Sequence, residues 1–305
     1  MINTRKKLYG TGIALVTPFD QEKKVDLKGL ERLITHISEG KVEYLVILGT
    51  TGEPATLKKE EKEEIIQCIK STNKNKLPLV LGIGGNDTAE VIRQIQQVDL
   101  TDFEAVLSVS PYYNRPTQEG IYQHFKALVT NTEVDIIIYN VPTRTGSNVL
   151  PETVLRLAHE YKNIIGIKEA SGNILQAYEI LQQKPEDFSV VSGDDALALP
   201  MTLGGGDGVI SVVAQGIPKE FSEMIRLARQ NKVREAFKLY YQTIQMTKLA
   251  FEEGNPAGIK TLLKTIGICE PYVRLPLVQA TEKLQEKIRS EYKRRFAYQP
   301  QHKTY

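Results

Sequence analysis

Cysteine, tryptophan and histidine are scarce in this chain of 305 residues, which has two, none and four of them. Cys68 and Cys269 are too few for a disulfide framework and fit a reducing compartment, where they read as packing residues. The histidines, His36, His124, His159 and His302, fall on helical faces or in the tail, and none has the spacing of metal ligands. No apolar run approaches the roughly 20 residues that a bilayer span requires. The opening Met1-Ile-Asn-Thr-Arg-Lys-Lys7 lacks the long apolar core of a secretory signal. Charge of one sign is also in short supply. The 39 Lys+Arg and 37 Asp+Glu leave a net +2, too little for a phosphate-neutralising surface. A cytoplasmic protein with neither nucleic acid nor membrane as partner is expected. Its 41% apolar and 25% charged residues are the balance of a globular fold.

Short apolar runs recur at 12–16, 44–48, 77–82, 104–109, 134–138, 163–167, 188–191 and 208–213. Their length and Val/Ile content predict buried strands. Between them lie segments with helical spacing. Leu27, Leu30, Ile34 and Ile37 make one stripe, and the charged segment 58–69 turns Ile65, Ile66 and Ile69 inward. Strand and helix alternate eight times, which predicts a (β/α)8 TIM barrel over residues 1–217 rather than an open doubly wound sheet. From 218 to about 296 the pattern is helical throughout, with turn signals at Gly254-Asn-Pro256 and Gly267. Residues 218–305 therefore read as a C-terminal helical extension. Its basic, polar tail from Lys293 reads as a frayed terminus rather than an RNA-binding arm.

In such a barrel the chemistry sits where the strands end. After the second strand, Gly49-Thr-Thr-Gly-Glu53 is either a small-anion site or a polar turn. After the fourth, Ser110-Pro-Tyr-Tyr-Asn114 offers Tyr112 and Tyr113 as packing residues or as donors. The fifth ends in Tyr139, on the face of Ile137, and its loop carries Arg144. That guanidinium either clamps a carboxylate or makes a structural ion pair. The sixth ends in Lys168, in line with Gly166 and Ile164, so a small residue behind it leaves room for a ligand. Burial disfavours an ammonium and frees an amine to attack a carbonyl; the bland alternative is a lysine snorkelling to water. Ser192-Gly-Asp-Asp195 is explained more cheaply by helix capping than by a metal. Gly204-Gly-Gly-Asp-Gly208 lies at the wrong end of the barrel to cradle a phosphate. Together, a lysine, a tyrosine, hydroxyls and an arginine at strand ends suit imine chemistry on a small keto acid.

Seven motifs then fall in order over residues 10 to 276. They are Gly49-Thr-Thr-Gly-Glu53, Pro111-Tyr-Tyr-Asn-Arg-Pro116, Tyr139-Asn-Val-Pro142, Arg144-Thr-Gly146, Gly166-Ile-Lys-Glu-Ala170, Ser192-Gly-Asp194 and Gly208-Val-Ile-Ser211. By them the chain resembles the dihydrodipicolinate synthase and N-acetylneuraminate lyase superfamily. The Thr-Thr pair and Arg-Thr-Gly resemble its synthase branch, since sialic acid lyases usually carry serine at the first threonine and lack the arginine.

The resemblance implies condensation of pyruvate with aspartate 4-semialdehyde in lysine and diaminopimelate biosynthesis. It also implies a homotetramer built from tight dimers, and no cofactor beyond a covalent imine of pyruvate with Lys168. Tyr139 is implied as the proton exchanger. A phenol, with an ordinary pKa near ~10, needs a relay for that work. Thr50 and Tyr113 match the relay, with Tyr113 reaching into the neighbouring subunit. Thr51 and the Ile210 backbone are implied to hold pyruvate, and Arg144 the semialdehyde's carboxylate. A pyruvate-dependent aldolase or lyase of a sugar keto acid, of the 2-keto-3-deoxygluconate or N-acetylneuraminate type, is the alternative that Arg144 disfavours. A non-catalytic pyruvate-binding regulator is disfavoured by the complete lysine, tyrosine and threonine set. The family's Asn-Pro-x-Pro turn is replaced by Asn255-Pro-Ala-Gly258, a departure expected to alter a helical-domain loop but no catalytic position. Asn86, Glu90 and Tyr112 match the allosteric site of lysine-inhibited members. Pro54, Lys59 and Lys62 depart from it, so weak or absent inhibition by lysine is expected.

Overall fold

Each of the eight apolar runs forms a strand in the structure, a computed structural model that describes residues 8–297. They are β1 (Gly10–Ala14), β2 (Tyr44–Ile47), β3 (Leu79–Gly82), β4 (Ala105–Val109), β5 (Ile136–Asn140), β6 (Ile164–Glu169), β7 (Ser189–Ser192) and β8 (Gly208–Ser211). Neighbours pair in parallel in sequence order, and β8 returns to β1, closing the expected barrel. Nearly every strand residue is buried, because the strands are covered by side chains inside and by helices outside. At the bottom of the barrel, the backbone of Asp207 bridges β7 and β1. Its N–H donates to Val190 O (2.8 Å), and its carbonyl accepts from Gly10 N (2.9 Å).

The helical layer comprises α1 (Leu27–Glu39), α2 (Lys59–Thr72), α3 (Thr88–Gln97), α4 (Gln118–Thr130), a single turn α5 (Pro142–Thr145), α6 (Pro151–Glu160), α7 (Ile174–Gln183), α8 (Ala198–Leu203) and α9 (Pro218–Arg229). Helix starts are capped by the expected residue types. Asp26 accepts from Gly29 N at 2.9 Å, and Asn173 accepts from Leu175 N at 3.1 Å. Helix α1 buries Leu30, Leu33, Ile34 and Ile37, and α2 buries Ile65, Cys68 and Ile69.

Beyond α9 lie α10 (Val233–Phe251), α11 (Ala257–Thr265) and α12 (Glu282–Tyr292). This region departs from the expected pattern in two ways. Helix α9 packs on β1 and β8 as the eighth barrel helix, so we propose that the barrel and its appendix divide after Arg229 rather than at 217. The appendix is also not helical throughout, since 266–281 runs as turns and irregular chain between α11 and α12. Pro271 and Pro276 cannot donate within a helix, and the Arg274 N–H is spent on Glu53 at 3.0 Å. Most of the basic tail, residues 298–305, lies outside the described residues. No helix among those described is long and apolar enough to cross a membrane.

Candidate active site

Tyr139 and Lys168 are register partners at the ends of β5 and β6. Both are buried, and Lys168 Nζ sits 4.3 Å from the centroid of the Tyr139 ring. Side chains alternate along a strand, so the residue after each must point the other way. Those residues, Asn140 and Glu169, meet between the barrel and its helices. Asn140 Nδ2 donates to Glu169 Oε2 at 2.9 Å, Gln176 Nε2 on α7 donates to the same oxygen at 3.0 Å, and Ser171 N donates to Oε1 at 2.6 Å. This buried network locks the two strand ends together and so fixes how the lysine and tyrosine face one another.

The glycine behind Lys168 does a different job from the one expected. A Cβ on Gly166 would come within 2.6 Å of Ser189 O, so its missing side chain admits the neighbouring strand, not a ligand. Room for the lysine is made by Gly193 instead. A Cβ there would lie 3.0 Å from Lys168 Cγ and Cε and 2.6 Å from Ala170 Cβ.

The threonine loop folds as one 3-10 turn, Thr50–Gly52, between Leu48 (φ 55) and Glu53 (φ 54). Thr50 lines a cavity of about 580 Å³ at the C-terminal mouth of the barrel, together with Tyr139, Tyr112 and Arg144. Thr51 is buried beside it. Its Oγ1 accepts from Asn255 Nδ2 at 2.9 Å, and Thr17 Oγ1 donates to Gly52 O at 2.7 Å. Glu53 turns inward to meet Lys260 Nζ at 2.6 Å. Burial pushes the pKa of the Lys260 ammonium down, with Glu53 opposing the shift. The turn at Asn255 thus reaches the loop through Thr51. Sequence spacing gave no signal for that contact, since the partners are 204 positions apart.

Arg144 is carried on α5, which starts with Pro142 and ends on Gly146 at φ 74. Thr145 Oγ1 closes the turn by donating to Ser147 O at 2.7 Å. Arg144 is exposed and has no ion pair among the described residues, which leaves its guanidinium to the cavity. Tyr113 is not brought to the cavity of its own chain. It stands 89% exposed at φ 71, while Tyr112 is the tyrosine that lines the cavity. Lys168, Thr51 and Ile210 are buried and are not among the residues that line the cavity. Ile210 on β8 is followed by Ser211 and Val212, both held by Asp195: Ser211 Oγ donates to its Oδ1, and Val212 N donates to Oδ2 at 3.1 Å. Burial raises the Asp195 pKa to about 6, with these hydrogen bonds opposing the shift. Asp195 therefore stitches β7 to β8 rather than capping a helix, and Asp194 accepts from Ala196 N at 2.8 Å.

The residues matched to an allosteric site are only partly assembled. Lys62, Tyr112 and Gln94 line the cavity, whereas Asn86 is exposed and Glu90 is engaged by its own helix. Glu90 accepts from Arg93 Nε at 3.1 Å and from Gln94 Nε2 at 2.9 Å. No group of three or more His, Cys, Asp or Glu among the described residues is placed to hold a metal ion. His124, bonded to Thr88 Oγ1 at 2.9 Å, has its pKa pushed down to about 4 by burial.

Comparison with known proteins gives a consistent pattern. The family model described as the dihydrodipicolinate synthetase family matches residues 7–295. A 4-hydroxy-tetrahydrodipicolinate synthase of Flavobacterium psychrophilum is 55% identical over 92% of this chain and 95% of its own. One from Karelsulcia muelleri is 51% identical over 94% and 97%. Among solved structures, a monomeric dihydrodipicolinate synthase variant superposes with a TM-score of 0.91 at 38% identity, covering 95% of this chain and 97% of its own. A chloride-inhibited synthase of Acinetobacter baumannii, complexed with pyruvate, gives 0.90 at 37% identity over 93% and 98%.

Proposed function

The chain belongs to the dihydrodipicolinate synthetase family, and on that premise we propose that its cavity runs the family reaction through an imine at Lys168. The reaction condenses pyruvate with aspartate 4-semialdehyde to 4-hydroxy-tetrahydrodipicolinate, in lysine and diaminopimelate biosynthesis. The observation that carries the proposed route is the Lys168 amine lying 4.3 Å over the ring of Tyr139 at adjacent strand ends.

The amine of Lys168 attacks the ketone carbon of pyruvate, and water leaves to form the imine. Loss of a methyl proton gives an enamine, whose carbon adds to the aldehyde of the semialdehyde. The amino group of the second substrate then attacks the imine carbon, closes the ring and releases Lys168. One water is lost overall. Every step moves a proton, and Tyr139 is the group beside the lysine able to donate and accept one. Thr50, on the same cavity wall, serves as its relay with Tyr113 from a neighbouring subunit. Thr51 and the Ile210 backbone hold the pyruvate carboxylate. Arg144, in the open lining and without an ion pair among the described residues, takes the carboxylate of the semialdehyde by paired hydrogen bonds.

A homotetramer of tight dimers in the cytoplasm is the setting we propose. It is supported by Tyr113, which is 89% exposed and away from its own chain's cavity. Tyr112 lines that cavity, and Asn86 and Glu90 would complete an effector site with it. Initial rates of purified protein decide the reading. Turnover is expected with pyruvate plus aspartate semialdehyde, without cleavage of sugar keto acids, and unchanged by a chelator. Lys168→Ala should abolish it. Activity retained in Lys168→Ala would remove the imine from the account.

A further inference from the structure

Thr51 and Asn255 meet from opposite ends of the chain, 204 positions apart, with Asn255 Nδ2 donating to Thr51 Oγ1 at 2.9 Å. Thr51 is 3% exposed and Asn255 9%, so water hardly competes for the contact. A threonine hydroxyl has one proton and two lone pairs. An amide N–H on one lone pair leaves the proton to point elsewhere, and among the described residues nothing accepts it. The other end of the amide is idle, since Asn255 Oδ1 is buried without a partner among the described residues. A half-satisfied buried amide is costly, and it persists where the satisfied half is needed.

The appendix holds this amide at a set depth. Asn255 precedes α11, and α11 is docked by Lys260, whose Nζ reaches Glu53 Oε1 at 2.6 Å, two residues beyond Thr51. Asn255 also lines the cavity. We propose that Asn255 is a positioning residue for pyruvate. By donating to Thr51 it fixes the Thr51 hydroxyl as a donor to the substrate's carboxylate. The proposal rests on the reading above, in which Thr51 holds that carboxylate.

Borohydride trapping across a pyruvate titration measures occupancy of the imine without the second substrate. Labelling of the wild type tests the imine itself, and the Asn255 variants, read relative to it, test the amide. Asn255→Ala should raise the half-saturating pyruvate concentration roughly three- to tenfold with full labelling at saturation. Asn255→Asp keeps the size but cannot donate. It draws the Thr51 proton to itself and should raise the value roughly ten- to a hundredfold. The loss must pass through the hydroxyl. In a Thr51→Val background, Asn255→Ala should add nothing, and Thr51→Ser should restore the coupling. Should Asn255→Ala not fold, Asn255→Asp closes the same cycle with Thr51→Val. Wild-type half-saturation in Asn255→Asp, or additive losses in the double variant, would overturn the proposal.

Discussion

Lys260 and Glu53 form an ion pair across 207 positions, with Nζ 2.6 Å from Oε1 and neither side chain more than 1% exposed. The remaining donors and acceptors are also engaged. Lys260 Nζ donates to Tyr272 O at 2.7 Å and lies 4.2 Å over the Phe19 ring, and Arg274 N donates to Glu53 Oε2 at 3.0 Å. The pair joins α11 to the loop that carries Thr50 and Thr51. Removing one partner leaves a buried charge uncompensated, a loss of roughly 3–5 kcal/mol. Lys260→Met is therefore expected to lower the urea midpoint strongly, and adding Glu53→Gln should recover much of the loss. Equal midpoints for the wild type and Lys260→Met would show that the pair does not hold the loop.

Gly193 provides a second test. A methyl group there would crowd the Lys168 stem at 3.0 Å and Ala170 at 2.6 Å. Gly193→Ala should slow imine formation, read as a reduced rate of borohydride-trapped pyruvate. For comparison, Tyr139→Phe removes the proposed proton exchanger itself and is expected to cost roughly 10²–10⁴-fold in kcat. If Gly193→Ala traps pyruvate as fast as the wild type, the lysine stem is not confined as described.

Asp195 should make stability depend on pH. Its pKa is raised by burial from 3.8 to about 6. The associated stability is fully present below the unfolded pKa and is lost as pH rises through the folded one. That displacement corresponds to about 3 kcal/mol. Asp195→Asn loses part of the hold on Ser211 and Val212 at every pH but carries no such titration. The stability advantage of the wild type over the variant should therefore shrink as pH rises from about 4 to 7. A difference that stays constant over this range would mean that the carboxylate does not titrate there.

Feedback by lysine should be weak. Its ammonium needs a carboxylate, and Glu90 is tied to Arg93 and Gln94. Lys62 lines the cavity instead. A cation facing the ligand's ammonium at 4 Å costs about 1 kcal/mol in a water-like dielectric. Titrating L-lysine into the assay settles it. Inhibition at tens of micromolar, roughly −6 kcal/mol of binding, would show that Glu90 leaves Arg93 for the ligand.

The proposed sharing of Tyr113 between subunits has its own measurement. Mixed Tyr113→Phe and Lys168→Ala subunits should recover activity above the sum of the two variants, since some sites would draw an intact lysine and an intact tyrosine from different chains. Full turnover by a proven monomer would contradict this.

The barrel is legible because short Val/Ile runs alternate with amphipathic segments, and strand alternation alone places Tyr139 and Lys168 at the mouth. What stays hidden depends on contacts between distant positions. Nothing local to Asn255 or Lys260 announces Thr51 and Glu53 as partners. Gly166 misleads for a similar reason: its empty side is filled by Ser189, a residue of the next strand. The helical pattern on either side of 266–281 hides an irregular stretch whose breakers are Pro271 and Pro276. Tyr112 and Tyr113 are adjacent in sequence, yet the positive φ of Tyr113 turns one out while the other lines the cavity. Periodicity cannot register such a turn.

Mass mapping of the pyruvate adduct bears on all of this at once. Incubation with pyruvate and borohydride should add one reduced pyruvyl group per chain, and peptide analysis should place it on Lys168. An unchanged mass, or a label on Lys260 or Lys264, would contradict the imine assignment and the mechanism built on it.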